Sequence, residues 1–469
     1  MPHRSLLLVI ALSAPAMASA QDVPPPPAPA PTAPSRFDLD AALADGSEPM
    51  TVERAVALAA EHSPRVDVAQ DSVSAAEASL HAATVALVPR LDLGARYSHV
   101  DGFPDGQIVA MIAGMTFSSA IHIPRDQGAF TARLTVPISD MIFASLPAMQ
   151  GAEGRLRAER MRIDAARADV ALQATEGFYR YVEARGVAAV ATSARDQAAA
   201  LRDQIVRYAE VGLAGPADRA AALARVAQAE EALARAESAV EVSAAGLSIL
   251  LGTPADQRFR VAGAIPSAAP PAPGALDAVE SAALDRRAEL RAGREAIAAQ
   301  TRSRDATLAT GYPHVSIYGY AEESNPNPRI IPPTQTWNPL WELGAALTWA
   351  PNDTATALFR ADEMSAQIRS AEDQLRIAED SVRLEVRQTY AELRASGRSL
   401  DAARASADAA EEAYRSQLAA LEAGESTLND LLLADQRATE ARLADLRARI
   451  AAHVARARLD HAMGVASAP

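Results

Sequence analysis

The sequence predicts a mixed, mainly α chain in which strand pairs feed long helical hairpins, with the whole pattern written twice. Three observations carry this. Alanine supplies most of a 49% hydrophobic share while aromatics reach only 4%, a composition suited to closely packed helices and not to a thick core. Long stretches repeat apolar residues every three and four positions. Four shorter runs alternate apolar with polar residues.

The helical stretches set the scale. Leu223, Val226, Glu230, Leu233, Glu237, Val240, Ala244, Leu247 and Leu251 step by three and four, as do Met364, Ile368, Ala371, Leu375, Ala378, Val382 and Glu385. That is the 3.5-residue period of a coiled-coil seam. No proline falls between Ala148 and Val211, so this segment can form a rod of roughly 90 Å at 1.5 Å per residue. A rod so long, with so thin a stripe, must lie beside other rods. The rods break at "VGLAGPAD" (Val211 to Asp218) and "LEAGESTLND" (Leu421 to Asp430). There glycine caps one helix, and Pro216 or the Thr427–Asp430 capping box opens the next.

The breaks belong to a repeat. Gly424 follows Gly212 by 212 residues, and Gly464 follows Gly252, Tyr390 follows Phe178 and Asp430 follows Asp218 at the same offset. Each half reads helix, extended run, loop, extended run, long helix, break, long helix.

The extended runs alternate. Leu91, Leu93, Ala95 and Tyr97 oppose Asp92, Gly94, Arg96 and Ser98; Phe130, Ala132, Leu134 and Val136 oppose Thr131, Arg133 and Thr135. Trp341, Leu343, Ala345, Leu347 and Trp349 oppose Glu342, Gly344, Ala346 and Thr348, and Val315 and Ile317 share one side of the remaining run. Runs of about nine residues with aromatics near the ends match transmembrane β-strands, lipid on one face and water on the other. Trp341, Trp349 and Tyr97 are the candidate aromatic belt. Four strands cannot close a barrel, whose smallest form has eight, and an open edge in lipid leaves backbone groups unsatisfied. Several copies of the chain are required.

The start, "MPHRSLLLVIALSAPAMASA", reads as a secretory signal cleaved after about Ala20, its apolar run too short to span a bilayer. Residues 21–48 form a proline-rich linker; 49–252 is the first repeat, 253–276 a linker and 277–469 the second repeat. A net charge of −14 argues against nucleic acid. The absence of cysteine excludes disulfides, thiolate metal sites and a lipoprotein's acylated N-terminus. No nucleophile–base pair, metal-ligand spacing or phosphate loop is present, so neither an enzyme nor a cofactor is expected.

This order of elements resembles the outer-membrane efflux protein family, whose best-known member is TolC. The resemblance runs from about Thr51 to Gly464 and rests on "LVPRLDL" and "GYPHVSI" opening two strands, "VGL" at 211–213 and "GESTLNDLLLAD" at 424–435. It implies a homotrimer: a twelve-stranded barrel in the outer membrane, continuous with a barrel of twelve helices crossing the periplasm. The loops Asp101 to Gln127 and Glu322 to Leu340 would face outside. The helical tips would meet a periplasmic adaptor through Val211, Gly212, Leu213 and Gly424, and an inner-membrane transporter would supply the energy. Asp430, with Asp218 at the equivalent repeat position, would ring the closed tip as a pore gate. The family often has a second acid one turn further on, where this chain has Leu433. Since 416–436 holds no arginine, a latch on those acids would come from Arg207 and Arg219 on the other hairpin. The resulting function is an outer-membrane duct of a tripartite efflux pump, RND-type or similar. The alternatives are a duct for type I protein secretion and a secreted periplasmic coiled-coil structural or regulatory protein.

Overall fold

A computed structural model of the chain describes residues 48–101, 106–121, 124–212, 214–254, 257–262, 268–271, 273–331 and 334–465. The chain divides into Met1–Phe37 and Asp38–Pro469. The first unit, which holds the expected signal sequence and most of the proline-rich linker, lies outside the described residues, as does Leu213.

Strand β1 (Glu48–Met50) leads into α1 (Val52–His62) and α2 (Pro64–Val85). The strands β2 (Arg90–His99), β3 (Gly106–Ile112), β4 (Met115–Ile121) and β5 (Asp126–Val136) follow. A helical turn, Ile138–Asp140, passes through a π-helical turn, Met141–Ser145, into α3 (Leu146–Glu210), and α4 (Pro216–Leu251) returns beside it. After β6 (Phe259–Val261) the pattern recurs as α5 (Leu276–Arg286), α6 (Ala288–Ala309), β7 (His314–Asn325), β8 (Asn338–Thr348), α7 (Pro351–Glu422) and α8 (Leu428–Ala462). At 65 residues α3 runs about 98 Å, and α7 at 72 residues about 108 Å. Among the described residues no helix is long and apolar enough to cross a membrane.

The duplication is visible in the packing. Val170, Ala174, Phe178, Tyr181, Leu247 and Leu251 are buried in one core. Their counterparts 212 residues on, Val382, Val386, Tyr390, Leu393, Leu459 and Met463, line a second. The repeated glycines cap the long helices with left-handed backbones: φ is 78° at Gly212, 67° at Gly252, 75° at Gly424 and 64° at Gly464. At Gly424 the Glu425 N–H reaches the Ala420 carbonyl at 2.8 Å and the Gly424 N–H that of Leu421 at 3.0 Å, a Schellman cap. Thr253 and Val465 close the other ends of the hairpins in the same way, each N–H at 2.9 Å from Ser248 and Asp460 carbonyls. A methyl group at Gly252 would also sit 2.7 Å from the His62 Cβ, whereas one at Gly424 would meet nothing within 4 Å. Gly424→Ala therefore costs about 1–2 kcal/mol of backbone strain, and Gly252→Ala more. Thermal unfolding of the two variants should rank them in that order.

The seam of α7 follows the sequence: Ile368 and Val382 are buried, and Met364, Ala371, Leu375, Ala378 and Glu385 are half-buried. The seam of α4 differs. Val226, Ala244, Leu247 and Leu251 are buried as expected, but Leu223, Glu230 and Glu237 face out, and Ala222, Ala229 and Ala236 take the inner positions. Methyl side chains let the neighbouring rod approach more closely than leucine would, and carboxylates stay in water.

Two features around the middle of the rods had no counterpart in the sequence pattern. β1 pairs in parallel with β6, Met50 opposite Val261, and the Tyr181 hydroxyl donates to the Phe259 carbonyl at 2.7 Å. On the second core, His461 of α8 lies between Asp169 of α3, 2.8 Å from Nε2, and Glu385 of α7, 3.4 Å from Nδ1. Arg287 joins them, donating to Glu385 at 3.0 Å and to the His461 carbonyl at 2.9 Å. The Glu385 carboxylate, with help from Asp169, raises the His461 pKa above its ordinary value near 6.5, against burial and the Arg287 charge. In turn His461, then Arg287, lowers that of Glu385. For a histidine whose folded pKa is raised, the stabilisation is complete below the unfolded value and is lost as pH rises through the folded one. The melting temperature should fall as pH rises above about 6.5, and less so in His461→Gln; equal slopes would exclude the cluster as the cause. The Glu385 contribution is lost only as pH falls through its depressed value.

Candidate functional site

The four longest strands form one antiparallel sheet in the order β2-β5-β7-β8. Opposed residues of such a ladder share a face. Across β2 and β5, Leu91 faces Leu134, Leu93 faces Ala132 and Ala95 faces Phe130. The same face continues through Ala321 and Trp341, Gly319 and Leu343, and Val315 and Leu347. It is apolar and outward: Trp341 is 80% exposed and Leu343 72%. The other face carries Asp92, Arg133, Tyr320 and Glu342 abreast, with Thr131, Glu322, Arg96 and Ser324 in neighbouring rows. The alternation predicted for these runs holds, including the less regular one on β7.

Trp341 and Trp349 are eight residues apart, about 26 Å along a strand, close to the ~25 Å apolar band of a membrane barrel. Tyr97 is exposed on the same face, its hydroxyl donating to Asp126 at 2.8 Å. The structure adds aromatics that the sequence pattern did not single out. Trp337 stacks on Phe130 with ring centroids 5.5 Å apart. At the other end Phe143 meets Tyr312 edge-on at 6.2 Å. Phe143 is carried by the π turn, which a 3.5-residue period does not reveal. The loop expected from Asp101 to Gln127 contains the β3–β4 hairpin, with its turn at Ala113 and Gly114 at φ 53° and 81°.

At the hairpin tips Val211 is exposed, Gly212 turns the chain and the Gly215 N–H donates to Asp218 at 2.9 Å. Thr427 and Asp430 form a reciprocal cap: the Thr427 hydroxyl donates to Asp430 at 2.6 Å, and the Asp430 N–H to that hydroxyl at 3.3 Å. Each acid thus caps its own helix. Asp430 remains exposed and lines a groove of about 210 Å³ with Leu433, Gln417 and Arg437. Arg437 lies one residue past the arginine-free stretch. Arg207 and Arg219 are exposed and make no ion pair among the described residues.

The ion pair that links the hairpins near their tips is different. Arg225 of α4 clasps Asp435 of α8 through Nη2 at 2.6 Å and Nε at 3.2 Å, with side chains only 19% and 9% exposed. Below it, Ile205, Ala222 and Leu428 pack α3, α4 and α8 together. A sequence signal existed: Leu428, Leu431, Asp435 and Ala438 step by three and four, placing a charge on a seam.

No model of a known family matches the chain, and no curated protein does. Solved structures match in fold. The chain shares the architecture of the TolC-like outer-membrane channels, strand sheet continuous with long helical hairpins, twice over. The CmeC outer-membrane channel of Campylobacter jejuni aligns at TM-score 0.70 and 17% identity over 88% of this chain and 86% of that one. CusC, described for transmembrane channel formation, aligns at 0.73 and 12% over 88% and 92%. The Neisseria gonorrhoeae MtrE outer-membrane channel, solved in an open state, aligns at 0.65 and 17% over 88% and 89%.

Proposed function

We propose that this chain is the outer-membrane exit duct of a tripartite efflux pump, RND-type or similar, passing small molecules across the periplasm and outer membrane without chemistry of its own. The observation that carries it is the sheet: one apolar face, one polar face, and unpaired edges at β2 and β8. These edges run antiparallel to each other, so β8 of one copy can pair with β2 of the next. Three copies give twelve strands and close the barrel. A homotrimer bearing six tips is the unit we infer. Val211, Gly212, Leu213 and Gly424 are then adaptor contacts, Asp430 and Asp218 the carboxylates that favour cations at the constricted end, and Trp341, Trp349 and Tyr97 part of the aromatic belt. An inner-membrane transporter supplies the energy. The open state described for MtrE supports a tip that opens. A secreted coiled-coil protein would have no use for an apolar sheet face.

The test is extraction and mass. The protein should leave the outer-membrane fraction only with detergent and weigh three chains by native mass spectrometry. A single chain, or release by salt alone, would overturn the reading.

A further inference from the structure

We infer that the polar face of the strand sheet selects anions, with Arg96 and Arg133 as the recognising residues; this rests on that face lining the barrel of the proposed duct. Three carboxylates lie on the face, and each is engaged. Asp92 accepts from Arg90 at 2.8 Å, Glu322 from the Tyr320 hydroxyl at 2.7 Å, and Glu342 from the Tyr318 hydroxyl at 2.9 Å and Arg329 at 3.2 Å. Arg90 and Arg329 are thereby paired. Arg96 and Arg133 are exposed and make no hydrogen bond or ion pair among the described residues. Arg133 is not loose: its guanidinium lies 5.0 Å from the Tyr320 ring centroid and 5.8 Å from that of Tyr318. Stacking of this kind holds the planar fork in place while leaving its N–H donors unused. Such donors suit carboxylate, sulfonate and phosphate oxygens. Trimerisation puts six guanidiniums that have no partner within their own chains around one bore, and rings of arginine favour anions. The exit then has the opposite preference to the acidic tips, within a chain whose net charge is −14. The solutes it suits are small organic anions.

The experiment is planar-bilayer recording of the purified trimer in low salt, with inositol hexakisphosphate added as a blocking probe on the side of the strand loops. Wild type should be blocked, and an Asp218→Asn/Asp430→Asn variant, its tip neutralised, should pass chloride in preference to potassium. The Arg96→Gln/Arg133→Gln variant should need about fivefold more probe for each guanidinium that no longer meets the phosphates, and Arg133→Lys should recover part of the block. A normal trimer band on gels shows that the variants assemble. Conductance with a block indifferent to both arginines would overturn this inference alone. A trimer that conducts neither as wild type nor with its tip loosened by Arg225→Ala would overturn the duct, and this site with it.

Discussion

Leu343→Arg should abolish the proposed detergent-stable trimer, while Ala346→Arg, three residues along the same strand, should leave it intact. Leu343 stands mid-strand on the apolar face, opposite Gly319; Ala346 stands on the polar face, opposite Ser316. A guanidinium on the lipid side of a barrel costs about 2–4 kcal/mol near the midplane, and the proposed trimer would contain three such positions. On the water side the same group stays solvated. Heat-modifiable mobility on gels and native mass report the difference. If both variants assemble equally, the assignment of faces is wrong.

Arg225→Ala should be the most damaging change near the tips. It leaves the Asp435 carboxylate, 9% exposed, without its partner, and breaking one side of a buried pair costs about 3–5 kcal/mol. Since the pair ties α4 to α8, we expect the tip to loosen and resting conductance in planar bilayers to rise. Asp435→Asn on top of Arg225→Ala removes the stranded charge and should restore part of the closed state. Neutralising Arg207 and Arg219 instead tests whether those exposed groups latch a neighbouring copy. The expected rise there is smaller, because an exposed pair contributes about 0–1 kcal/mol. A larger effect from Arg207 and Arg219 than from Arg225 would move the latch from within the chain to between chains.

The architecture was legible wherever one periodicity decided the answer. Alternation on "RLDLGARYS" and "WELGAALTW" gave both the strands and their apolar face, because a half-wet strand must place every second residue in each solvent. The 212-residue offset of Gly212 and Gly424 gave the tips, because a left-handed cap admits glycine best. What escaped depended on partners distant in sequence. The pairing of Glu48–Met50 with Phe259–Val261 involves three residues on each side, too few for a pattern. The choice of Ala222 over Leu223 for the α4 seam turned on how near α3 lies, and nothing in the local sequence states that. Arg225 could be matched with Asp435 only after α4 and α8 were known to lie side by side.

The buried alanines at 222, 229 and 236 set a spacing that engineering can change. Where rods meet through single methyls, side-chain bulk is itself a caliper. Exchanging one of these alanines for valine should wedge the staves apart by a fraction of an ångström, and in the proposed trimer threefold symmetry would repeat the wedge around the circumference. The bore of the proposed duct would thus be retuned without touching a residue that meets the solute.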